Sequence, residues 1–157
     1  QVLHFVRFVG SVRVVEETAT ELVDLIEQLQ ELDSGAHRIS FEGDPVTLEP
    51  RFSLTLSMVL HELMANAVQH GALSSASGQV TVTSTLTAEH TPPTLKIEWK
   101  ETGGPPVVAT TVKGFGLRLI RRSIERELKG QADIQFARTG IIWSMLIPWP
   151  DKPESRL

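Results

Sequence analysis

The stretch HELMANAVQHG, at positions 61 to 71, places polar side chains at helical spacing within an apolar segment. Because successive helical residues rotate by about 100°, Glu62, Asn66 and Gln69 share one narrow arc, and His70 lies at its border. An amide oxygen on a rigid helix suits Mg²⁺, and a carboxylate one turn earlier can orient an attacking oxygen. The pattern therefore allows metal-assisted chemistry, and the alternative is that Glu62 and Asn66 are only solvated.

A zinc-protease site does not fit the same stretch. Such a site needs histidines at positions i and i+4 of one helix, but the residue four after His61 is Ala65. His61 and His70 also point to nearly opposite sides of the helix. The chain contains no cysteine, which excludes thiolate metal sites and disulfides and fits a reducing compartment.

Two glycine-containing loops follow. EWKETGGPP ends a predicted strand at Gly103 and Gly104, and KGFGLRLI places Gly114 and Gly116 at the start of a predicted helix. Bare backbone before a helix N-terminus can approach a phosphate, whose charge the free N–H groups and the helix dipole favour. Lys113 adds a positive charge at the same place. The loops match neither the dinucleotide-binding fingerprint nor the Walker A motif.

Apolar periodicity predicts the three helices that must position these groups. The first ends near Asp33, the second runs from about 51 to 70, and the third from about 117 to 128. Gly71 is expected to end the second helix in the left-handed conformation, which glycine adopts without steric cost. The predicted inner stripes are Leu22, Leu25, Ile26, Leu29 and Leu32, then Leu56, Val59, Leu60, Leu63 and Ala67, then Leu117, Ile120, Ile124 and Leu128.

Alternating apolar and polar residues predict five strands, at HRISFEG, GQVTVTSTLT, TLKIEWKE, QADIQFAR and GIIWSMLIPWP. The segment DPVTLEP, before the second helix, is expected to be a turn-rich connection. Helices combined with hairpin-like strand pairs predict an α+β fold. We expect a two-layer sandwich, with about three helices over a mixed, mostly antiparallel sheet.

The bulk composition is typical of one soluble globular domain. The chain has 157 residues, of which 41% are hydrophobic and 22% charged, and its formal net charge is −4. That charge is too small to indicate nucleic-acid binding. No apolar run approaches the ~18 residues that a membrane span needs. Because the first residue is Gln1 rather than Met, we expect a piece of a longer protein.

The segment HELMANAVQHG and the two glycine-containing loops together resemble the conserved sequence boxes of the ATP-binding catalytic domain of bacterial sensor histidine kinases, in the GHKL ATPase superfamily. More specifically, they resemble those of the HWE subfamily, which is named for a histidine in the first sequence box and W-x-E in the second. His61 matches the first, and Trp99 with Glu101 matches the second. GFG at 114 to 116 completes the pattern, and the resemblance covers roughly residues 17 to 148. It implies the GHKL (Bergerat) fold.

The resemblance also implies ATP and Mg²⁺ as cofactors, with a role for each matching position. Asn66 would bind the Mg²⁺ that bridges the phosphates, and Glu62, with His61 beside it, would assist phosphoryl transfer. Glu101 would accept a hydrogen bond from the adenine amino group. The remaining nucleotide-binding positions would be His70, Gly103, Gly104, Lys113, Gly114, Phe115 and Gly116. Gln69 stands where relatives often have a basic residue, and the lid between Pro106 and Lys113 is very short.

A histidine kinase also needs a phosphoacceptor histidine, and the subfamily's acceptor box is not visible in this sequence. His4 is the only N-terminal candidate, and its neighbours do not match. We therefore expect ATP binding without autophosphorylation. The expected organisation is a linker remnant at 1–16, the catalytic domain at 17–150 and a polar tail at 151–157. The resemblance implies a cytoplasmic, homodimeric parent that acts with a phosphoacceptor domain and a response regulator receiver domain, without nucleic-acid or membrane contact by this domain.

Two other functions remain open at this point. One is a degenerate, non-catalytic module on the same fold, which docks in phosphotransfer; the intact Asn66 and both glycine boxes argue against it. The other is a serine kinase that acts as an anti-sigma factor, which the W-x-E box disfavours.

Overall fold

A computed structural model of the chain describes residues 20–34, 37–107 and 114–150, without the side chain of Phe115. The expectations for the segment 1–16, the tail 151–157, His4 and Lys113 fall outside these residues. Within the described ranges, no helix is both long and apolar enough to cross a bilayer.

Three helices form close to the predicted positions. They are α1 (Leu22–Leu32), α2 (Pro50–Gln69) and α3 (Phe115–Arg122), and α3 continues as a π-helical turn (Ser123–Glu127). A capping box between Glu21 and Asp24 begins α1, and proline at the first position begins α2. The π-helical turn is closed by Leu128, whose N–H donates to the Ser123 carbonyl.

In the part of the chain that the structure describes, seven strands form two sheets. The strands are β1 (Thr20–Glu21), β2 (Ile39–Gly43), β3 (Thr47–Leu48), β4 (Gln79–Thr87), β5 (Thr94–Thr102), β6 (Gln131–Ala137) and β7 (Gly140–Pro148). The larger sheet has the order β2-β4-β5-β7-β6, in which only β2 and β4 pair in parallel. Helices over this mixed, mostly antiparallel sheet confirm the predicted fold class.

The core lies between the helices and one face of the larger sheet. Alternate residues of β5 are buried, from Leu95 through Ile97 and Trp99 to Glu101. All five predicted residues of the α2 stripe are buried, as are four of the five predicted for α1. The prediction for Leu32 is wrong: this residue is 58% exposed because α1 ends beside it, beyond the edge of the core.

The small sheet is the element that sequence periodicity does not predict. Within the expected connection DPVTLEP, β3 pairs antiparallel with β1, so that Thr20 faces Leu48. The Val46 carbonyl also accepts a hydrogen bond from the Leu22 N–H. Two-residue strands carry too little alternation to be recognised in a sequence, yet these bonds attach the start of α1 to the start of α2.

Candidate functional site

The C-terminal half of α2 and the first turn of α3 meet at Glu62, Asn66 and Gly116. A β-carbon at position 116 would lie 3.1 Å from Glu62 Oε2 and 3.6 Å from both amide atoms of Asn66. The bare backbone of Gly116 therefore faces the two polar side chains directly. The structure brings together the polar arc of one helix and the glycine-headed start of another.

The amide group of Asn66 has an unused hydrogen-bonding atom. Its Nδ2 is buried and has no hydrogen-bond partner among the residues that the structure describes. A buried polar atom without a partner costs about 1–3 kcal/mol, so such an atom in a native protein needs an explanation. The two ends of an amide are exchangeable by a flip of the side chain, so either the oxygen or the nitrogen can face Gly116.

The three other polar residues expected near this site lie differently. His61 is half-buried, and its Nδ1–H donates to the Ser57 carbonyl at 2.7 Å, one turn earlier in α2. Gln69 and His70 are exposed at the end of the helix. The structure therefore places Glu62 and Asn66 together, whereas His61 is bonded to its own helix and His70 to none of the side chains at the site.

Glu101 is a buried carboxylate held by two N–H donors. It is 4% exposed, near the end of β5. Its Oε1 accepts from Trp99 Nε1 at 3.0 Å, and its Oε2 accepts from the Ala72 N–H at 2.9 Å. Trp99 and Glu101 can meet because side chains two residues apart lie on the same face of a strand. The tryptophan of W-x-E thus fixes the orientation of the glutamate.

The environment of Glu101 shifts its ionisation in opposing ways. Burial raises the pKa of the carboxyl above its ordinary value, because a low-dielectric surrounding disfavours the charged form. The hydrogen bonds from Ala72 and Trp99 act the other way, since both stabilise the carboxylate. Burial is the larger effect.

Gly71 connects the carboxylate to the helix that carries Asn66. The prediction that it caps α2 in the left-handed conformation is wrong, because its φ is −109°. Glycine is needed there for space: a β-carbon would collide with Glu101 Oε2. The Gly71 N–H donates to the Asn66 carbonyl at 3.1 Å. A continuous line of contacts therefore runs from Glu101 through Gly71 and Asn66 to Gly116.

Gly103 and Gly104 lie against the loop at residues 71–78, which contains a short 3₁₀ helix at Ala72–Ser74. A β-carbon on Gly104 would be 2.5 Å from Ala72 Cα, and one on Gly103 would be 2.5 Å from the Ser77 carbonyl oxygen. Gly103 also has a φ of +73°, which disfavours other residues. Close approach of this loop accounts for both glycines, and their placement beside a purine stays a prediction.

The start of α3 presents open backbone. Gly114 is exposed at the N-cap position. Because glycine has no side chain, it does not cap the first N–H groups of the helix. The first N–H groups of a helix have no partners within it. Of the other residues expected here, Phe115 is described only by its backbone and Lys113 not at all.

Comparison with known proteins identifies the fold and the kind of protein that the chain resembles. No family model matches the chain. A blue-light-activated histidine kinase of Brucella ovis is 33% identical over 113 residues, which are 72% of this chain and 23% of that protein. The catalytic domain of the histidine kinase ThkA superposes with a TM-score of 0.62 at 23% identity, covering 83% of this chain and 95% of that domain. The fold is that of the histidine kinase catalytic domains, and the sequence is similar to that of a histidine kinase.

Further solved kinases agree with this assignment. The histidine kinase domain of the Erythrobacter litoralis EL346 blue-light-activated kinase has a TM-score of 0.62 at 20% identity, over 78% of this chain and 57% of that one. ThkA has also been solved in complex with the response regulator TrrA, and that structure matches with a TM-score of 0.57 at 20% identity, over 99% of this chain and 51% of that one. The chain spans about a quarter of the length of the curated relatives it matches.

The sequence does not reveal a partly buried ion pair that is present among the described residues. Asp33 and Arg38, either side of the turn after α1, form a salt bridge with an N–O distance of 2.6 Å. Only the five-residue spacing across a turn signals it in the sequence, and acid–base pairs at such spacing are too common to be informative.

Proposed function

We propose that this domain binds Mg²⁺-ATP between α2 and α3 and acts as the catalytic part of a protein-histidine kinase. The observation that carries the proposal is the unpartnered Nδ2 atom of the Asn66 amide, which faces the bare backbone of Gly116. The similarity to histidine kinase catalytic domains supports it, because those domains bind ATP as a class.

Asn66 would hold the Mg²⁺. An amide oxygen is a hard donor of the kind that this ion prefers, and the ion keeps several waters and phosphate oxygens as its other ligands. The residues fit such an ion, since Nδ2 of the half-buried Asn66 amide lacks a partner among the described residues and the Glu62 carboxylate lies beside Gly116 as well. When bound, Mg²⁺ supplies neutralisation of the phosphate charge.

Glu101 would recognise the adenine amino group. An ionised carboxylate can accept about four hydrogen bonds, of which the described contacts use two. Adenine offers an N–H donor where guanine offers a carbonyl, so an acceptor at this place favours ATP. Gly103 and Gly104 lie against the loop at 71–78, whose Ala72 N–H holds this carboxylate, and they would form a wall of the purine site.

The start of α3 would hold the phosphates. Gly114, Phe115 and Gly116 offer backbone N–H groups at the positive end of a helix, and Lys113 would add a point charge. Glu62 would orient the attacking group, and the position of its carboxylate against Gly116 supports this role. Phosphoryl transfer needs mainly positioning and charge neutralisation, which this set would provide. His61 and His70 would act at the border of the site.

The other parts of the proposal concern the parent protein. The phosphoryl group would pass to a histidine on a dimerisation domain, and then to a response regulator, a partner class with which the related ThkA has been solved. We further propose a cytoplasmic, homodimeric parent, and the division into a linker remnant at 1–16, a catalytic domain at 17–150 and a tail at 151–157.

Titration calorimetry with Mg²⁺-ATP tests the proposal. The native chain should bind, whereas Asn66→Ala should lose binding because the metal ligand is gone. Val68→Ala, an exposed change on the same helix, is the matched control and should bind like the native chain. Equal affinity of the native chain and Asn66→Ala would contradict the assigned role. Failure of the native chain to bind any nucleotide would favour a degenerate docking module.

A further inference from the structure

Arg38 is the centre of a network that reaches from α1 to the loop at 71–78. Its Nη2 and Nε donate to the two carboxylate oxygens of Asp33, at 2.6 and 3.3 Å. Its Nη1 donates to the carbonyls of Leu73 at 3.2 Å and Ser75 at 3.0 Å. The guanidinium group thus uses both edges: one edge binds a carboxylate and the other binds backbone.

Asp33 holds this arginine in one orientation. Its side chain is 3% exposed, and it also accepts from the Arg38 backbone N–H at 3.2 Å. The Arg38 carbonyl in turn accepts from the Val80 N–H at 2.8 Å, next to the parallel pairing of β2 with β4. The planar fork of arginine matches a carboxylate in this two-bond geometry, whereas lysine is a point charge that cannot.

The opposite side of the same loop forms the surroundings of Glu101. The Ala72 N–H donates to the carboxylate, and the Ser77 hydroxyl donates to the Gly103 carbonyl at 3.1 Å. Ala72 also lies against Gly104. The loop is therefore held between Arg38 on one side and the glutamate with its two following glycines on the other.

We propose that Arg38, fixed by Asp33, is a positioning residue that sets the loop at 71–78 and, through the Ala72 N–H, the orientation of the Glu101 carboxylate that selects the purine. This inference rests on the proposed function for its consequence in nucleotide selectivity, and on geometry alone for its consequence in the loop. It assigns Arg38 no contact with the nucleotide, because the arginine acts through backbone.

The two consequences are measured separately. Hydrogen–deuterium exchange of the nucleotide-free chain reports the loop: Arg38→Met should speed exchange at Ala72 and its neighbours by about tenfold or more, since two charge-assisted hydrogen bonds to the loop are lost. Calorimetry with ATP and with GTP reports the site: the same variant should lose about tenfold in ATP affinity and most of its preference over GTP.

Two further variants complete the design. Arg38→Lys keeps the positive charge opposite Asp33 but not the planar fork. It should fold even if Arg38→Met does not, and it should still show fast loop exchange and reduced selectivity for ATP over GTP. Arg51→Met, an exposed change at the far end of α2, should leave both readouts unchanged.

Each combination of exchange and calorimetry results supports or contradicts a specific part of the proposal. Fast loop exchange in the Arg38 variants, together with a native chain that binds no nucleotide, would refute the proposed function while supporting the loop contact. Unchanged exchange at 71–78 in both Arg38 variants would overturn the inference. The inference would also be overturned if the Arg38 variants showed fast loop exchange but kept the native preference for ATP over GTP, because Arg38 would then have a structural role only.

Discussion

The indole N–H of Trp99 donates to Glu101 Oε1 at 3.0 Å, so the first and last residues of W-x-E are bonded to each other. Trp99 is fully buried, and its side chain lies on the core face of β5 with Glu101. The motif is therefore one physical unit, in which the tryptophan both packs in the core and orients an acid. Loss of either partner leaves the other buried without its hydrogen bond.

Trp99→Phe should lower the free energy of unfolding by about 1–3 kcal/mol beyond its loss of packing, because Glu101 loses a donor in a buried place. Urea denaturation of the native chain and the variant measures this change in the free energy of unfolding. Trp143→Phe, which removes the same atoms from the residue paired with Trp99 on β7, is the control for packing. Equal losses in the two variants would show that the hydrogen bond contributes nothing.

Glu101→Gln should change how stability depends on pH. Burial raises the pKa of Glu101 above its ordinary value of 4.5. Between 4.5 and the raised pKa, the folded chain therefore keeps a proton that the unfolded chain loses, and the contribution of this residue to the free energy of unfolding falls as pH rises. Glutamine does not titrate, so the free energy of unfolding of the variant should not show this decrease with rising pH.

Urea denaturation at a series of pH values upward from 4.5 measures the effect. The native chain should lose stability relative to Glu101→Gln across this range. Glu98→Gln, a half-buried change three residues earlier in β5, provides the control. A native-minus-variant difference that stays constant with pH would count against the raised pKa.

Gly116→Ala should weaken Mg²⁺-ATP binding by about tenfold while the domain stays folded, because a β-carbon would lie 3.1 Å from Glu62 Oε2. Alanine within a helix is otherwise favoured over glycine by roughly 0.5–1 kcal/mol. Glu125→Ala, an exposed change in the π-helical turn that continues α3, is the control. Calorimetry on both variants should separate them, and equal losses would contradict this placement.

Asn66→Ala should raise the stability of the nucleotide-free domain by about 1 kcal/mol, because it removes a buried amide atom that lacks a partner. The same variant should lose the upward shift of the melting temperature that Mg²⁺-ATP gives the native chain. Thermal unfolding with and without Mg²⁺-ATP measures both. A nucleotide-free variant that is clearly less stable than the native chain would mean that the amide is satisfied after all.

The sequence predicts the helices and the larger sheet well because their signals are long. Twenty residues of α2 with a continuous apolar stripe leave little choice of structure. The polar arc and the glycine-headed helix are also predicted, and the structure brings Glu62, Asn66 and Gly116 together. What was missed depends on distant partners: Gly71 is glycine because of Glu101, thirty positions away, and no local pattern contains that information.

The parallel pairing of β2 with β4 determines where the chain can be opened by circular permutation. The crossover between these strands, residues 44–78, contains β3, α2 and the loop that bonds Glu101, so a break within it would separate parts that must act together. The exposed turn at 88–92 joins two antiparallel neighbours and carries none of these groups. A circular permutation opened at that turn should keep the nucleotide site whole, whereas one opened in the crossover should not.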